Sequence, residues 1–171
     1  MFPPITTRRL VLRAPEVGDV DALLRRRNDP EVARWQNWTL PWPRATAEEL
    51  VADAVAMGGP LDGQWWMLTV VERGSDERAG DGLAGEIVGD LAVHLSNGGR
   101  TAEIGYTFAS SHWGRGYAAE AAEALVAWLF EHQGVSRVAG MLHPANRPSA
   151  MVLERAGFVL EGHTQLSFWL G

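Results

Sequence analysis

Apolar residues change their spacing several times along this chain, and each change predicts an element. Arg9 to Arg13 (RLVLR) alternates with a period of two, as a short strand does, and Ala14-Pro15 ends it. Asp19 stands where it can N-cap a helix reaching about Asn28, at which Asn28-Asp29-Pro30 is a breaker. A short helix-loop follows. Thr46 with Glu49 three residues on predicts a capping box for a second helix, AEELVADAVAM, stopped by Gly58-Gly59-Pro60. Gln64 to Glu72 (QWWMLTVVE) and Glu86 to Leu95 (EIVGDLAVHL) are rich in β-branched and aromatic residues and read as strands. The loop between them, rich in Gly, Asp and Arg, is expected to be mobile.

Thr101 to Ala109 forms a further strand, set off by the hairpin signal Ser96-Asn97-Gly98-Gly99. The period then lengthens. From Tyr117 to His132 apolar residues fall at 117, 121, 124, 125, 128 and 129, opposite Glu120, Glu123 and Glu131, and Gly134 sits where a C-terminal cap belongs. Arg137 to Leu142 reads as a strand, Asn146 to Ala156 as a short helix capped by Asn146 and ended by Gly157, and Phe158 to Leu170 as a last strand. The helix between strands 101–109 and 137–142 can act as a crossover, which makes those two parallel neighbours in an otherwise antiparallel sheet. The expected class is α+β, with a mixed sheet, flanking helices and one domain over residues 1–171.

Composition narrows the chemistry. A length of 171 residues with 46% apolar content is enough for a self-sufficient core. A net charge of −6, from 15 basic and 21 acidic residues, argues against a nucleic-acid partner. The chain has no cysteine and all its basic residues are arginine, so disulfides, an acyl-cysteine intermediate and lysine Schiff-base chemistry are excluded. No signal-peptide core and no apolar run of membrane-span length is visible, which predicts a cytoplasmic protein without a membrane partner.

Three segments carry candidate chemistry. In SSHWGRGYAAEAAEAL a strand ends, Gly114 and Gly116 alternate with other residues, and a long helix begins; its first-turn amides suit a phosphate group, although Gly-x-Gly before a helix is also an ordinary turn. In AEIGYTFA, alternation puts Ile104, Tyr106 and Phe108 on one face and Glu103, Gly105 and Thr107 on the other. Glu103 beside the space left by Gly105 is either a general base or a solvated or arginine-paired strand residue. In HPANRPSAMVLERAGFVLEG, Asn146 and Ser149 lie at a helix start, as cap and first-turn residue or as ligand contacts. The five histidines show no pair at metal-binding helix spacing, so no metal site is expected; His143 is the reserve catalytic candidate. Trp35, Trp38 and Trp42 read as loop anchors before a pocket wall, and Arg25, Arg26 and Arg27 as a solvated helix face.

Four of these stretches, TTRRLVLRAP, EIVGDLAV, AEIGYTFASSHWGRGYAAEA and NRPSAMVLERAGFVLEG, occur in an order and spacing that resembles the GNAT-superfamily N-acyltransferases, in particular the Rim-type enzymes that acetylate alanine or serine termini of ribosomal proteins. The resemblance implies the GNAT fold with one splayed parallel strand pair, and transfer of an acetyl group from acetyl-CoA to a primary amine. The family's motif Q/R-x-x-G-x-G/A falls on Trp113, Gly116 and Ala118, which implies a diphosphate held by Trp113, Gly114, Arg115, Gly116, Tyr117 and Ala118, with Trp113 departing from the polar first position. It further implies that Tyr106, Thr107, Phe108 and Ala109 line the pantetheine arm, with Asn146 and Ser149 also contacting the cofactor.

By the same resemblance the amine attacks the thioester directly, with Glu103 as base, a backbone N–H near Phe108 as oxyanion donor and Ser149 as acid to the leaving sulfur. Leu153 occupies the place where many relatives carry a tyrosine. A protein N-terminus is the leading acceptor. A small amine or antibiotic, a non-catalytic CoA-binding regulatory module and a purely structural domain are the rivals. The resemblance also implies a further strand beyond 158–170, so the expectation is either a truncated chain or a strand supplied by a homodimer or strand exchange.

Overall fold

The computed structural model describes residues 1–74 and 85–163. It contains a six-stranded sheet in the order β1 (Ile5–Thr6), β2 (Leu10–Arg13), β3 (Trp65–Glu72), β4 (Ile87–Ser96), β5 (Thr101–Phe108) and β6 (Arg137–Gly140). Every pair is antiparallel except β5 with β6, whose parallel pairing follows from the intervening helix α4 (Tyr117–His132), as the α+β reading requires. Helices α1 (Val20–Arg27), α2 (Pro30–Ala33) and α3 (Arg44–Met57) separate β2 from β3, and α5 (Arg147–Arg155) follows β6.

The two faces are filled by alternation. Leu68, Val70, Leu91, Val93 and Ile104 share one face, which packs with Leu125 and Leu129 of α4 into a single buried cluster. Each such fully buried side chain contributes about 1.5–3 kcal/mol of apolar transfer. The opposite face carries Arg13, Thr69, Asp90 and Thr107 in register and is covered by α1. Gly89 lies opposite Phe108 in the β4–β5 pair, and a Cβ there would meet the Phe108 ring at 2.7 Å. Only glycine lets that ring lie across β4.

Several local expectations are corrected. Helix α3 begins at Arg44 with Pro43 at its N-cap, so Thr46 and Glu49 lie inside the helix and form no capping box. Proline presets a backbone angle suited to a helix start, and this fixes the beginning three residues earlier. Asp19 does precede α1, but its carboxylate makes no cap bond to that helix; it accepts from the Glu16 amide, from both Arg13 terminal nitrogens at 2.8 Å and from Thr69 Oγ1 at 2.7 Å. Of the three adjacent arginines, Arg25 is exposed as expected, but the other two do not form a solvated face. Arg26 is 5% exposed and binds Asp90 through Nε, and Arg27 reaches the other oxygen of the same carboxylate at 3.0 Å. Strand β6 stops at Gly140, and Phe158–His163 belongs to no strand, although 158–170 was expected to form one; residues 164–170 of that segment lie outside the described residues, as does most of the loop expected to be mobile.

Candidate active site

The strands β5 and β6 pair only from Thr101↔Arg137 to Ile104↔Gly140. Beyond Ile104 the edge of β5 that faced β6 has no strand partner among the described residues. The backbone pattern shows which residues open onto this gap. Ala109 donates its N–H to Val88 O at 2.9 Å and accepts from the His112 amide, so its backbone groups are engaged. In an antiparallel ladder the sides alternate, so Thr107 also faces β4, while Tyr106 and Phe108 present N–H and C=O to the gap. The Phe108 carbonyl is taken by Trp113 Nε1 at 2.9 Å, which leaves its N–H open. Trp113 thus replaces the polar side chain expected at that position with an indole that ties the glycine loop to the end of β5.

At the mouth of the gap Gly114 and Gly116 both adopt left-handed backbone, with φ of 76° and 79°. Gly116 is the N-cap of α4, and no side chain caps this helix. The first intrahelical bond runs from the Glu120 amide to Gly116 O, so the amides of Tyr117, Ala118 and Ala119 have no helical acceptor. Three open N–H groups at the positive end of a 16-residue helix suit a phosphate.

A brace that the sequence reading missed holds this loop. Arg9 donates to Arg115 O at 2.8 Å, bonds Glu120 of α4 through Nε at 2.7 Å and lies 4.7 Å above the Tyr117 ring. Thr7 adds a 2.6 Å bond to the same carboxylate. Burial pushes the Glu120 carboxyl upward, but the bonds from Thr7 and Arg9 outweigh it and hold the group below the usual carboxylate range. On the loop's other side His112, 6% exposed, points Nε2 at Glu72 and Glu86 across 3.8 and 3.6 Å, and Tyr117 OH donates to Glu72. These three ligand-type side chains come within 4.8 Å of one another, a grouping invisible at spacings of 14 and 26 residues.

Glu103 and Ser149 flank the gap from opposite faces. Glu103 lies between His94 of β4 and Ala139 of β6, half-buried, with no hydrogen bond among the described residues. On the other face the Tyr106 phenol reaches α5, with Oη 2.7 Å from Ser149 Oγ and 2.9 Å from Ser149 O. Burial pushes the Tyr106 hydroxyl up to about 12 despite the Ser149 bond. Asn146 caps α5 as expected, its Oδ1 accepting from the Ser149 amide at 3.3 Å.

The remaining aromatic candidates divide. Trp38 Nε1 donates to Arg27 O, and the Trp42 amide donates to Asn28, so both act as anchors. Trp35 instead lies 5.3 Å from the ring of His143, joining the α2 end to the segment after β6. His143 Nδ1 accepts from the Ala145 amide at 3.1 Å, which places a neutral ring's proton on Nε2.

Comparison with known proteins agrees with this geometry. The family model described as an acetyltransferase (GNAT) domain matches residues 9–159. The uncharacterized N-acetyltransferase p20 of Bacillus licheniformis is 31% identical over 156 residues, 91% of this chain and 82% of its own. Two solved structures share the fold. RimL, a ribosomal L7/L12 alpha-N-protein acetyltransferase in complex with coenzyme A, superposes with a TM-score of 0.78 at 20% identity, covering 98% of this chain and 90% of its own. The spermidine N-acetyltransferase of Vibrio cholerae, in complex with CoA and spermine, gives 0.77 at 19% identity over 96% and 89% of the two chains. Since the matched stretch contains the gap, the glycine loop and the helices that flank them, the chain belongs to the GNAT acetyltransferase family.

Proposed function

We propose that the protein transfers the acetyl group of acetyl-CoA to a primary amine by direct attack, and that the acceptor is a protein N-terminal amine. One observation carries the reading: β5 parts from β6 after Ile104 and leaves the Tyr106 and Phe108 backbone edges open between Glu103 on one face and Ser149 on the other. In this reading the pantetheine arm takes the place of a strand along that edge. The diphosphate meets the amides from Gly114 to Ala118, and Asn146 holds the start of α5 against the thioester end.

Glu103 removes a proton from the incoming ammonium, directly or through water, which frees the lone pair for attack. Among the described residues its carboxylate has no hydrogen-bond partner to compete for that proton. The Phe108 N–H stabilises the oxyanion, and the Ser149 hydroxyl donates to the departing sulfur. The absence of cysteine agrees with attack without an acyl-enzyme. In this reading Trp35 and His143, whose rings lie 5.3 Å apart between the end of α2 and the segment after β6, border the acceptor path, and the Rim-type resemblance supports a peptide terminus entering there. The absence of cysteine also suits the cytoplasm, and among the described residues no helix is long and apolar enough to cross a membrane.

The test is thiol release from acetyl-CoA with peptides bearing N-terminal alanine or serine, set beside spermidine and an aminoglycoside. Peptide-dependent release with acetylated N-termini in the mass spectrum is the expected result. Release with spermidine alone overturns the acceptor, and no release with any amine overturns the enzyme reading in favour of a CoA-binding module.

A further inference from the structure

The contact between Tyr106 and Ser149 can be satisfied by two arrangements of its protons. Two oxygens approach the phenol: Ser149 O at 2.9 Å and Ser149 Oγ at 2.7 Å. A phenol has a single proton and can donate to only one of them at a time. If it donates to the carbonyl, the serine proton must point at the phenol oxygen and is unavailable to the gap. If it donates to Oγ, the serine proton is released toward the gap. Ser149 lies in the first turn of α5, so its carbonyl retains its place in the i to i+4 helical ladder when the phenol turns away. The exchange therefore costs little.

We infer that Tyr106 is a positioning residue that aims the Ser149 proton at the leaving sulfur and replaces it as it departs. The inference rests on the reading above that Ser149 faces that sulfur. When the tetrahedral intermediate collapses, the C–S bond breaks and its electron pair stays on sulfur. The Oγ–H proton of Ser149 moves to the sulfur, the Oη–H proton of Tyr106 moves to Oγ, and the phenolate recovers a proton from solvent after CoA leaves. Without the phenol, the serine is left as an alkoxide, a much stronger base than a phenolate. A hydroxyl at about 12 stays protonated across any assay pH, so the relay is loaded at every turnover. A tyrosine reaching the site from a strand thus sits beside a serine on the helix.

Four proteins decide the matter: wild type, Tyr106→Phe, Ser149→Ala and the double variant. For Tyr106→Phe the expected result is a kcat lowered about tenfold or more, a KM for acetyl-CoA within about twofold of wild type, and unmoved limbs of the pH profile. In the Ser149→Ala background the Phe substitution should cause no further loss, because its effect passes through the serine. Placing 3-fluorotyrosine at 106, which keeps the hydroxyl and makes it more acidic, should restore kcat. A full kcat in Tyr106→Phe while Ser149→Ala is slow overturns the relay and leaves the acid assignment standing. Losses that multiply in the double variant, or a fluorotyrosine protein as slow as the Phe variant, also overturn it. A full kcat in Ser149→Ala removes the acid assignment itself.

Discussion

Under α1, Asp90 is 2% exposed, and both of its oxygens are taken by Arg26 and Arg27; beside it Asp19 is held by Arg13, Thr69 and the Glu16 amide. At the β5–β6 gap, on the same sheet, and among the described residues, Glu103 has no hydrogen bond, the Phe108 N–H faces no strand, and the first amides of α4 lack helical acceptors. Both regions are polar, and they differ in closure. A buried polar group whose partners are all internal specifies structure, because removing one partner leaves the others uncompensated. A polar group left open at a strand edge or helix end asks for a ligand. The rule separates Asp90 from Glu103 although both are carboxylates on the same face of neighbouring strands.

Substitution at each site should therefore move a different observable. The largest effect is expected in the closed region: Asp90→Ala should cost roughly 3–5 kcal/mol of unfolding free energy, because two guanidinium groups lose the buried carboxylate they share. Urea denaturation reads this as a lower midpoint. A loss under about 1 kcal/mol would show that Arg26 and Arg27 reach water, and the closed region would lose its special standing. In the open region Glu103→Gln should lower turnover by about 10²-fold with an unchanged denaturation midpoint. Wild-type turnover across pH 6 to 9 would remove Glu103 from the mechanism.

A smaller effect is expected at the glycine loop between β5 and α4. Gly116→Ala places a side chain at φ 79°, a conformation that costs a non-glycine residue about 1–2 kcal/mol, with its Cβ 3.5 Å from Arg9. The strain should appear in stability and again in acetyl-CoA affinity, since the amides that the loop aims would shift. Calorimetric titration showing wild-type affinity would mean that the diphosphate is held elsewhere.

The same difference in closure explains what could be read from the sequence. Strands β2 to β6, the α4 crossover and the Asn146 cap were legible because each depends on local periodicity or one capping residue, whereas the two-residue β1 is too short to show a period and Phe158–His163 forms no strand. The left-handed glycines and the position of Glu103 beside the gap were legible because they lie within a continuous stretch, Ala102 to Ala119, to which the family resemblance also pointed. The bracing contacts were not. Arg9 meets Glu120 across 111 residues, Arg26 meets Asp90 across 64, and Tyr106 meets Ser149 across 43. No spacing rule announces a partner at such separations, so three adjacent arginines on a short helix looked like a solvated stripe. The Thr46–Glu49 motif misled for the opposite reason: it was a local signal overridden by a stronger local one, the proline at 43.

The smallest effect is a change of slope, and it sets Asp19 against its own neutral replacement. Burial alone raises the Asp19 carboxyl, but the bonds from Arg13, Thr69 and the Glu16 amide outweigh it, and the group is held below its usual range. A carboxyl whose folded value lies below its unfolded one contributes stability that is fully present above the unfolded value, about 3.9. That contribution is lost as pH falls through the folded value, because the folded state must then take up the proton it had excluded. Asp19→Asn cannot ionise, so its stability should fall less steeply than that of the wild type below about pH 4, while near neutral pH it should be the less stable of the two. Parallel curves from acid to neutral would mean that the Arg13 contact persists in the unfolded chain or contributes nothing. In either case closure at Asp19 would not carry the energetic meaning that the contrast with Glu103 assigns to it.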